Sequence, residues 1–338
     1  GVRVTDESTN PLPSSFPTDT DLKPVLSPTD QAVSPELDDT EPITQPDVEP
    51  VPVQEVPVPE PAHPLPRVMA VANQKGGVGK TTVTLGLASA AADAGRRVLV
   101  VDLDPQAAST WVLGVDPAQL DTSIADVLAS KHTRLEQVIQ RSAWSDRIEV
   151  LPSGAALQEL ESGRSKRIRN ALQSIAADYE AVLIDCPPSL GNLTRSALTA
   201  SRHALIVVEP SALGLRGIGG VADLIDEVWV ATYPDLELAG VVLNRLPAIS
   251  REAERRIDEL AQIVGRSAIW SPAIPQRVVF NQAVGERRSI HSFHTRASEP
   301  IAVFDSRWRR VRGTFGTGDG AAWISPTRPD AGHSPVRR

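Results

Sequence analysis

A glycine-rich stretch between an apolar run and a helix-like run constrains this chain more than any other part of its sequence. Residues 68–82 have the sequence VMAVANQKGGVGKTT. Gly76, Gly77 and Gly79 lack the Cβ atoms that would stop successive backbone N–H groups from turning inward, so they can form an anion-binding nest beside a helix N-terminus. The apolar run before them has the pattern of a buried strand. This order of strand, GGVGKTT turn and helix predicts a phosphate-binding loop, and hence a nucleotide-dependent protein.

The residues after the glycines predict how the nucleotide and its metal ion are held. Lys80 is expected to reach the β- and γ-phosphates, and the Thr81 hydroxyl is expected to ligate magnesium. Thr82 is placed to donate a hydrogen bond to the α-phosphate. A glycine turn without a ligand is the alternative, and the Gly-Lys-Thr ending disfavours it. The nucleotide-binding residues predicted within the loop are Gly76, Gly77, Val78, Gly79, Lys80, Thr81 and Thr82.

The negative charge of the chain is concentrated in its first part. Residues 1–66 contain thirteen Asp and Glu residues against Arg3 and Lys23, whereas the whole chain has a formal net charge of −8. The same segment holds 15 of the 29 prolines, and its only aromatic side chain is Phe16. It can bury too little apolar surface to offset the entropy lost on ordering, so residues 1–66 are predicted to be a disordered leader. The leader is either a spacer or a docking segment for a partner.

Composition also excludes several classes of protein. The single cysteine, Cys186, rules out an internal disulfide framework and a multi-cysteine zinc site, and it fits a reducing cytosol. No apolar run approaches the length of a membrane span, and the N-terminus lacks the basic-then-apolar pattern of a signal peptide. We therefore expect a cytoplasmic protein.

After the leader, short apolar runs alternate with longer amphipathic stretches. This pattern predicts one doubly wound α/β domain over residues 67–312, with a mostly parallel sheet and crossover helices on both of its faces. Strands are expected at 68–72, 98–103, 148–151, 181–185, 204–208, 238–243 and 268–269. Helices are expected at 81–94, 123–130, 155–177, 193–201, 217–230 and 251–264. Residues 313–338 are predicted to form a disordered tail.

Three carboxylates stand at the ends of predicted strands. Asp102 and Asp104 end the run VLVVDLD, and Asp185 ends the run AVLID. Open α/β sheets bind their ligands at the carboxyl ends of parallel strands, so these groups are expected beside the phosphate loop. Asp185 is predicted to hold a magnesium-bound water there. For the first two acids, capping of the next turn is the alternative.

Three separated motifs, KGGVGKTT, VDLDPQ and DCPPS, occur in this order. Together they resemble the ParA/MinD superfamily, and in particular its ParA/Soj branch, over residues 67–312. The resemblance implies a P-loop NTPase fold with a deviant Walker A motif, and it implies ATP and Mg²⁺ as cofactors. It also implies that Lys75 crosses a dimer interface to the nucleotide of the partner.

The resemblance assigns further roles at the same site. Asp104 is implied to orient or activate the attacking water, and Asp102 is implied to lie near the metal and to act through water. With Lys75 and Lys80 neutralising the charge of the γ-phosphate, the implied catalytic residues are Lys75, Lys80 and Asp104. Cys186 belongs to the DCPPS motif and has no base beside it in the sequence, so a nucleophilic role is not expected.

Base recognition is implied for a second group of residues. Asn244, at the end of LAGVVLNR, matches a family asparagine that recognises the adenine edge, with Arg245 beside the ring. A turn-forming role is the alternative for Asn244. Pro275, in AIPQRVVFNQA, resembles the element that covers the other side of the adenine, although Gln282 stands where the family usually has an acid.

Two arginines are candidates for DNA contacts. Arg251 and Arg255 lie one turn apart on the predicted helix 251–264, and ParA relatives place DNA-contacting arginines near the start of that helix. Glu252 and Glu254 are interleaved with them, so a solvated mixed-charge face is the alternative.

The end of the predicted domain contains a basic amphipathic helix. Ile301, Phe304, Trp308 and Val311 recur at helical spacing with arginines between them. Three uses remain open for this helix: a closing helix packed on the domain, a DNA-contacting helix, or a helix at a membrane surface.

The function implied is an ATPase of the ParA type, weak and stimulated by a ParB-like partner. It would form a homodimer with ATP, bind DNA non-specifically in the ATP state and act in chromosome or plasmid partitioning, in association with the nucleoid. A membrane partner is not expected. The alternative is a nucleotide-switched positioning or scaffold protein at a pole or membrane, as for MinD. A metabolic ATP-dependent ligase is disfavoured, because no substrate-pocket motif accompanies the phosphate loop and because Lys75 is present.

Overall fold

The computed structural model describes residues 65–130, 132–160, 166–231 and 235–317. The predicted leader and the predicted tail lie outside these ranges except for residues 65–66 and 313–317. The strands are β1 Leu65–Ala72, β2 Val98–Asp102, β3 Gln140–Arg141, β4 Ile148–Leu151, β5 Ala181–Asp185, β6 Ser201–Val208, β7 Glu237–Leu243 and β8 Ile269–Trp270. The α-helices are α1 Lys80–Asp93, α2 Ala108–Val112, α3 Ile124–Ala129, α4 Leu135–Val138, α5 Arg167–Leu172, α6 Asn192–Ala200, α7 Ala212–Ala231, α8 Arg251–Val264, α9 Val278–Gly285 and α10 Ser298–Thr317.

The described strands form one sheet in the order β3-β4-β2-β5-β1-β6-β7-β8. All neighbouring strands are parallel except β3 and β4, which are antiparallel. Because β1 lies in the middle, its carboxyl end is flanked by the carboxyl ends of β5 and β6. The phosphate loop that follows β1 therefore lies where open α/β sheets bind ligands.

Helices cover both faces of the sheet, so the predicted doubly wound α/β architecture is confirmed. Alternate residues of β1 enter two separate hydrophobic cores: Met69 and Val71 pack on the side of α1 and α10, and Val68, Ala70 and Ala72 pack on the side of α6 and α7. A strand buried on both faces has a nearly continuous apolar sequence, which explains why the runs in this chain do not alternate with polar residues.

Helix α10 is a closing helix of the domain. Its residues Phe304, Trp308 and Val311 are buried in the core that α1 shares with the sheet. Gly86 of α1 permits this close approach, because a Cβ atom there would lie 2.2 Å from the Phe304 ring. The packing favours the first of the three uses predicted for this helix, since its apolar face is covered by the domain. In the part of the chain that the structure describes, no helix is long and apolar enough to cross a membrane.

Several predicted boundaries were wrong. In the described part of the helix predicted at 155–177, the structure has a 3₁₀ segment, Ala155–Leu160, the helix α5, and a second 3₁₀ segment, Ala176–Asp178. Residues 161–165 of that prediction lie outside the described ranges. Helix α7 begins five residues before the predicted Gly217, and α10 continues to Thr317, beyond the predicted domain end at 312. The edge strand β3 was not predicted, because two residues, Gln140 and Arg141, are too few to produce an apolar pattern.

Candidate nucleotide-binding site

The phosphate loop has the backbone geometry that its glycines predict. Gly77 and Gly79 have φ angles of 77° and 93°, in the left-handed region that favours glycine. A Cβ atom on Gly79 would also lie 2.0 Å from Nδ2 of Asn244, so both backbone and space require glycine here. Helix α1 begins at Lys80 with no acidic residue in its first turn. Its N-terminal N–H groups and dipole are therefore available to an anion.

Two buried asparagines anchor the loop at its ends. The Asn73 amide donates to the carbonyl of Val207 at 2.6 Å, and its Oδ1 accepts from the N–H of Lys75 at 2.8 Å. At the other end, Nδ2 of Asn244 donates to the carbonyl of Val78 at 2.7 Å. The chain itself thus holds the loop in its curved form. The predicted adenine contact of Asn244 stays a prediction, and the structure adds this second role.

Lys80 is the first residue of α1, and its side chain reaches back to the start of the loop. Its ammonium group is largely buried and donates to the carbonyl of Lys75 at 3.2 Å. Burial lowers the pKa of Lys80, while the nearby carboxylate of Asp185 opposes that shift. A partly desolvated cation at the N-terminus of α1 is suited to binding phosphate oxygens.

Asp185, at the end of β5, is joined to the first turn of α1. Its Oδ2 accepts hydrogen bonds from Oγ1 of Thr81 at 2.7 Å and from Oγ of Ser109 at 2.6 Å. Its Oδ1 is buried and has no hydrogen-bond partner. Burial raises the pKa of Asp185 to about 6, although the hydrogen bonds from Ser109 and Thr81 act in the opposite direction.

The unpartnered oxygen of Asp185 and the Thr81 hydroxyl fit a magnesium ion that is bound with a nucleotide. Mg²⁺ keeps several of its waters and is usually bound through one or two carboxylates together with substrate phosphates. A magnesium-bound water could donate to Oδ1 of Asp185 and so satisfy it. Among the described residues, no group of three or more His, Cys, Asp or Glu side chains could hold a metal ion by itself. An ion at this site would therefore depend on the phosphates for its remaining ligands.

Asp102 is fully buried at the end of β2, next to Asp185. Its Oδ2 accepts from the N–H and the hydroxyl of Thr110, at 2.8 and 2.7 Å, and its Oδ1 accepts from the N–H of Asp104 at 3.1 Å. Burial, followed by repulsion from Asp185, raises the pKa of Asp102 to about 7. In this structure Asp102 supports the turn that carries Asp104, and its predicted action on the metal through water stays a prediction.

Asp104 is half-buried in that turn. Its Oδ1 accepts from the N–H of Gln106 at 3.0 Å, and its carbonyl oxygen accepts from Oγ of Ser153 at 2.6 Å. The turn ends at Ala107, which has a φ of 53° despite its side chain. The structure brings Asp104 close enough to Lys80 and Asp185 for their charges to interact. Its role in positioning water stays a prediction.

Lys75 lies beside the loop and is paired within its own chain. Its Nζ is 3.4 Å from Oε2 of Glu209, and the two side chains are 30 % and 32 % exposed. Glu209 follows β6 directly, so this ion pair spans the carboxyl ends of two neighbouring strands. The contact was not predicted, and the expected role of Lys75 in a partner subunit stays a prediction.

The residues predicted to bind the base converge on one cavity of about 260 Å³. Asn244, Arg245 and Pro275 line it together with Thr82 and Glu209. Arg245 is exposed and has a φ of 55°, and the backbone segments at Leu246 and Pro275 are joined by a parallel bridge. The cavity thus begins at the first turn of α1 and ends at the loops after β7 and β8, as a nucleoside attached to bound phosphates requires.

The arginines predicted to contact DNA lie on a helix with mixed charges. Arg255 is 62 % exposed and forms ion pairs with Glu252 and Glu259 of its own helix. Helix α8 as a whole has the sequence REAERRIDELAQIV, in which four acids face three arginines. The structure therefore supports the alternative of a solvated mixed-charge face, and DNA binding by Arg251 and Arg255 stays a prediction.

Sequence reasoning missed several residues that contact the site. Ser109 and Thr110 hold the two buried aspartates, but hydroxyl residues several positions after a strand have no distinctive pattern. Glu209 could have been found, because it stands at the end of a buried strand as Asp185 does. Phe280 of α9 also lines the base cavity and is brought there only by the tertiary fold.

A lysine-bearing loop at the head of a buried helix, facing carboxylates from two parallel strands, makes this chain a P-loop nucleotide-binding protein. A family model described as an AAA domain matches residues 66–238. The chain is also 31 % identical over 249 residues to the sporulation initiation inhibitor protein Soj of Bacillus subtilis, in an alignment that covers 72 % of this chain and 93 % of Soj. The chain belongs to the ParA/MinD superfamily of P-loop ATPases.

Two further similarities define its neighbours. The chromosome partitioning protein ParA of Caulobacter vibrioides is 36 % identical over 230 residues, which are 66 % of this chain and 85 % of that protein. Among solved structures, the cobyrinic acid a,c-diamide synthase of Mycobacterium smegmatis with a bound ATP analogue and magnesium has a TM-score of 0.64 and 29 % identity. That alignment covers 76 % of this chain and 99 % of the synthase.

Proposed function

We propose that this chain is an ATPase that dimerises with ATP, binds DNA non-specifically in the ATP state and acts at the nucleoid in chromosome or plasmid partitioning. The observation that carries the proposal is Lys75. It stands beside a complete phosphate loop that already has Lys80, and its side chain is partly exposed. A second lysine at the rim of the loop is suited to a nucleotide held by another subunit. The name of the Caulobacter vibrioides relative, chromosome partitioning protein ParA, supports the partitioning part of the proposal.

ATP and Mg²⁺ are the cofactors that this site would take. The loop from Gly76 to Thr82 would bind the phosphates, and the cavity at Asn244, Arg245 and Pro275 would take the nucleoside. Thr81 would hold the magnesium ion, with Asp185 and Asp102 acting through water. When bound, the ion neutralises charge on the phosphates.

Hydrolysis would depend on groups that this chain supplies around the γ-phosphate. Asp104 would orient the attacking water and accept its proton at the carboxylate. Lys80, and Lys75 from a second subunit, would stabilise the negative charge that develops on the phosphoryl oxygens. The closed interface would exclude bulk water. A weak basal rate, stimulated by a ParB-like partner, fits a protein whose catalytic set is completed only in the dimer.

Exposed apolar residues support a dimer that closes over the nucleotide. Leu213, Ile249 and Val278 are 65 %, 95 % and 73 % exposed, and they follow β6, β7 and β8 respectively. They therefore share with Lys75 the edge of the sheet at which the strands end. Exposed apolar side chains at one edge of the sheet favour a protein partner, and a second copy of the chain would cover them together with the nucleotide.

DNA binding would rest on phosphate contacts, for which Arg251 and Arg255 are the proposed residues. The test is retention of the purified protein on DNA with ATP, with ADP and without nucleotide, at two salt concentrations. ATP-specific retention that falls steeply with salt and is lost in an Arg251→Ala, Arg255→Ala variant supports the proposal. Arg266→Ala, which removes an exposed arginine paired with Asp258, is the matched control.

Two results of this experiment would redirect the assignment. Retention that persists in the double variant would support DNA binding but would show that α8 is not the surface that contacts DNA. No retention with any nucleotide would contradict the DNA-binding part of the proposal. The nucleotide-switched scaffold would then be the better description, and deletion of residues 1–66 would become the next test of localisation.

A further inference from the structure

One acidic residue pairs with the loop lysine and also lines the base cavity. Oε2 of Glu209 is 3.4 Å from Nζ of Lys75, and Glu209 is one of the residues that line the cavity containing Asn244 and Arg245. Of the described residues that line this cavity, Glu209 alone carries a carboxylate. The residue that holds Lys75 in its own chain is thus also a wall of the nucleoside site.

The backbone fixes both partners of this ion pair. The carbonyl of Glu209 accepts from the N–H of Ser211 at 2.7 Å, and a Cβ atom on Gly214 would lie 2.1 Å from that carbonyl oxygen. On the other side, Asn73 binds the N–H of Lys75 and also the carbonyl of Val207, two residues before Glu209. The two backbones are therefore tied together, and only the side chains are free to change partners.

The chemistry of the pair makes such an exchange possible. An ionised carboxylate can only accept hydrogen bonds, and the ribose of a nucleotide offers hydroxyl donors. Hydrogen bonds to a charged acceptor are strong, especially where a ligand excludes water. The ion pair of Glu209 and Lys75 is weak by comparison, because both side chains are partly exposed and screened by solvent.

We propose that Glu209 is a positioning residue that binds the ribose hydroxyls of the nucleotide and thereby releases Lys75 for the second subunit. Without nucleotide, Glu209 holds Lys75 in its own chain. Binding of the nucleoside, and not only of the phosphates, then frees Lys75 to reach the nucleotide of the second subunit. The release of Lys75 rests on the proposed function, since its action in a second subunit belongs to that proposal, whereas the ribose contact concerns a single chain.

The ribose contact is tested by the affinity of the full chain for ATP and for 2′,3′-dideoxy-ATP, which lacks both ribose hydroxyls. The wild type is expected to prefer ATP by about tenfold, the loss associated with removing hydrogen bonds to a charged group. Glu209→Ala should bind the two nucleotides equally, and Glu209→Gln, which keeps a neutral acceptor, should show an intermediate preference. Glu227→Ala removes an exposed acid paired with Arg195 and is the matched control, so it should behave as the wild type.

The same preference in the wild type and in Glu209→Ala would overturn the ribose contact. A thermal unfolding scan of each variant checks that the variant is folded. A merely structural role of Glu209 would lower the affinity for both nucleotides alike, and such an equal loss would also count against the proposal.

The release of Lys75 is tested by the dimer dissociation constant at saturating nucleotide. For the wild type, this dissociation constant should be several-fold larger with dideoxy-ATP than with ATP, because Glu209 still competes for Lys75. In Glu209→Ala the two nucleotides should give the same dimer dissociation constant. An unchanged ratio between wild type and variant would overturn the release. A wild type that forms no dimer with ATP would overturn the proposed function and the release together, while the affinity measurement still decides the ribose contact.

Discussion

Asp102 and Asp185 are directly paired across the neighbouring strands β2 and β5, and both carboxylates are fully buried. Burial raises the pKa of Asp102 to about 7 and that of Asp185 to about 6. Two carboxyl groups that are buried on neighbouring strands and repel each other cannot both ionise without a cost in free energy. The register of the sheet therefore builds an unfavourable charge pair beside the phosphate loop, where a cation would relieve it.

The first prediction concerns the stability of the nucleotide-free protein. In the folded state Asp185 keeps its proton to about pH 6, whereas the unfolded chain releases it near the ordinary value of 3.8. A raised pKa in the folded state means that stability falls as the pH rises through this window. Asp185→Asn removes the charge, so its free energy of unfolding at pH 8 should exceed that of the wild type by roughly 1–3 kcal/mol.

Denaturant titrations of both proteins from pH 4 to pH 8 measure this difference. The difference in the free energy of unfolding should be near zero at pH 4 and grow as the pH rises. Because it is a difference between two proteins, the contributions of the titratable groups that they share cancel. The variant should at the same time lose magnesium-dependent nucleotide binding. A stability difference that is constant with pH would show that the charge of Asp185 is not the cause.

Lys80→Ala should weaken ATP binding by about a hundredfold, since it removes a largely buried cation that would contact phosphate. Equilibrium titration with a fluorescent ATP analogue measures the loss. Arg96→Ala, at an exposed position after the same helix, is the control and should bind normally. Unchanged affinity in Lys80→Ala would contradict the phosphate-loop assignment.

Lys75→Ala separates binding from dimerisation. The side chain is paired with Glu209 and is not among the residues that line the base cavity, so one chain should bind ATP nearly as well without it. Dimer formation with ATP, followed by light scattering, should be lost. A variant that dimerises as well as the wild type would show that this lysine does not act in a second subunit.

Asp104→Ala should retain ATP binding and ATP-dependent dimers while its hydrolysis rate falls by about a hundredfold or more, as expected for loss of a general base. Phosphate release and light scattering on the same samples test both halves. Asp104→Asn keeps the hydrogen bond that Oδ1 accepts from Gln106 and should also fail to hydrolyse ATP. Loss of nucleotide binding in either variant would assign Asp104 a structural role instead.

The contact between Gly86 and Phe304 can be tested by a double-mutant cycle of unfolding free energies. Phe304→Ala should cost about 3–5 kcal/mol, because it empties a fully buried position between α1 and α10. Gly86→Ala should also destabilise the wild type, by about 1–3 kcal/mol, since its Cβ would lie 2.2 Å from the Phe304 ring.

In the Phe304→Ala background the sign of Gly86→Ala should reverse. The new methyl group would enter the vacated space, and alanine is the better helix former by about 1 kcal/mol. Thermal and urea unfolding of the four proteins measures the coupling. Additive effects would mean that α10 can shift to avoid the clash and is not closely fitted to α1.

Much of this fold could be predicted from sequence because its strands are buried on both faces. The run AVLID is apolar enough to locate β5 to the residue, and Asp185 then follows from the strand-end rule. The helix predicted at 155–177 was wrong in the described residues, where Ala155–Leu160 and Ala176–Asp178 form 3₁₀ segments. Amphipathic spacing alone does not distinguish a short 3₁₀ segment from a turn of α-helix.

The candidate site was predictable where a backbone requirement selects the residue type. Gly77 and Gly79 are needed for their φ angles, and that need is visible in the sequence as a glycine pattern. The pairing of Lys75 with Glu209 was not predictable, since the two residues are 134 positions apart and meet only because β1 and β6 are neighbours. Contacts of this kind require the strand order, which local patterns do not contain.

The asparagine anchors at Asn73 and Asn244 also bear on the speed of ligand capture. They hold the loop in its curved form through hydrogen bonds that the protein makes to itself. A nucleotide therefore meets a preorganised cradle, and no part of its binding free energy is spent on ordering those residues. Association should then be limited by diffusion and by access to the cradle, so that differences in affinity among nucleotides arise mainly in their dissociation rates.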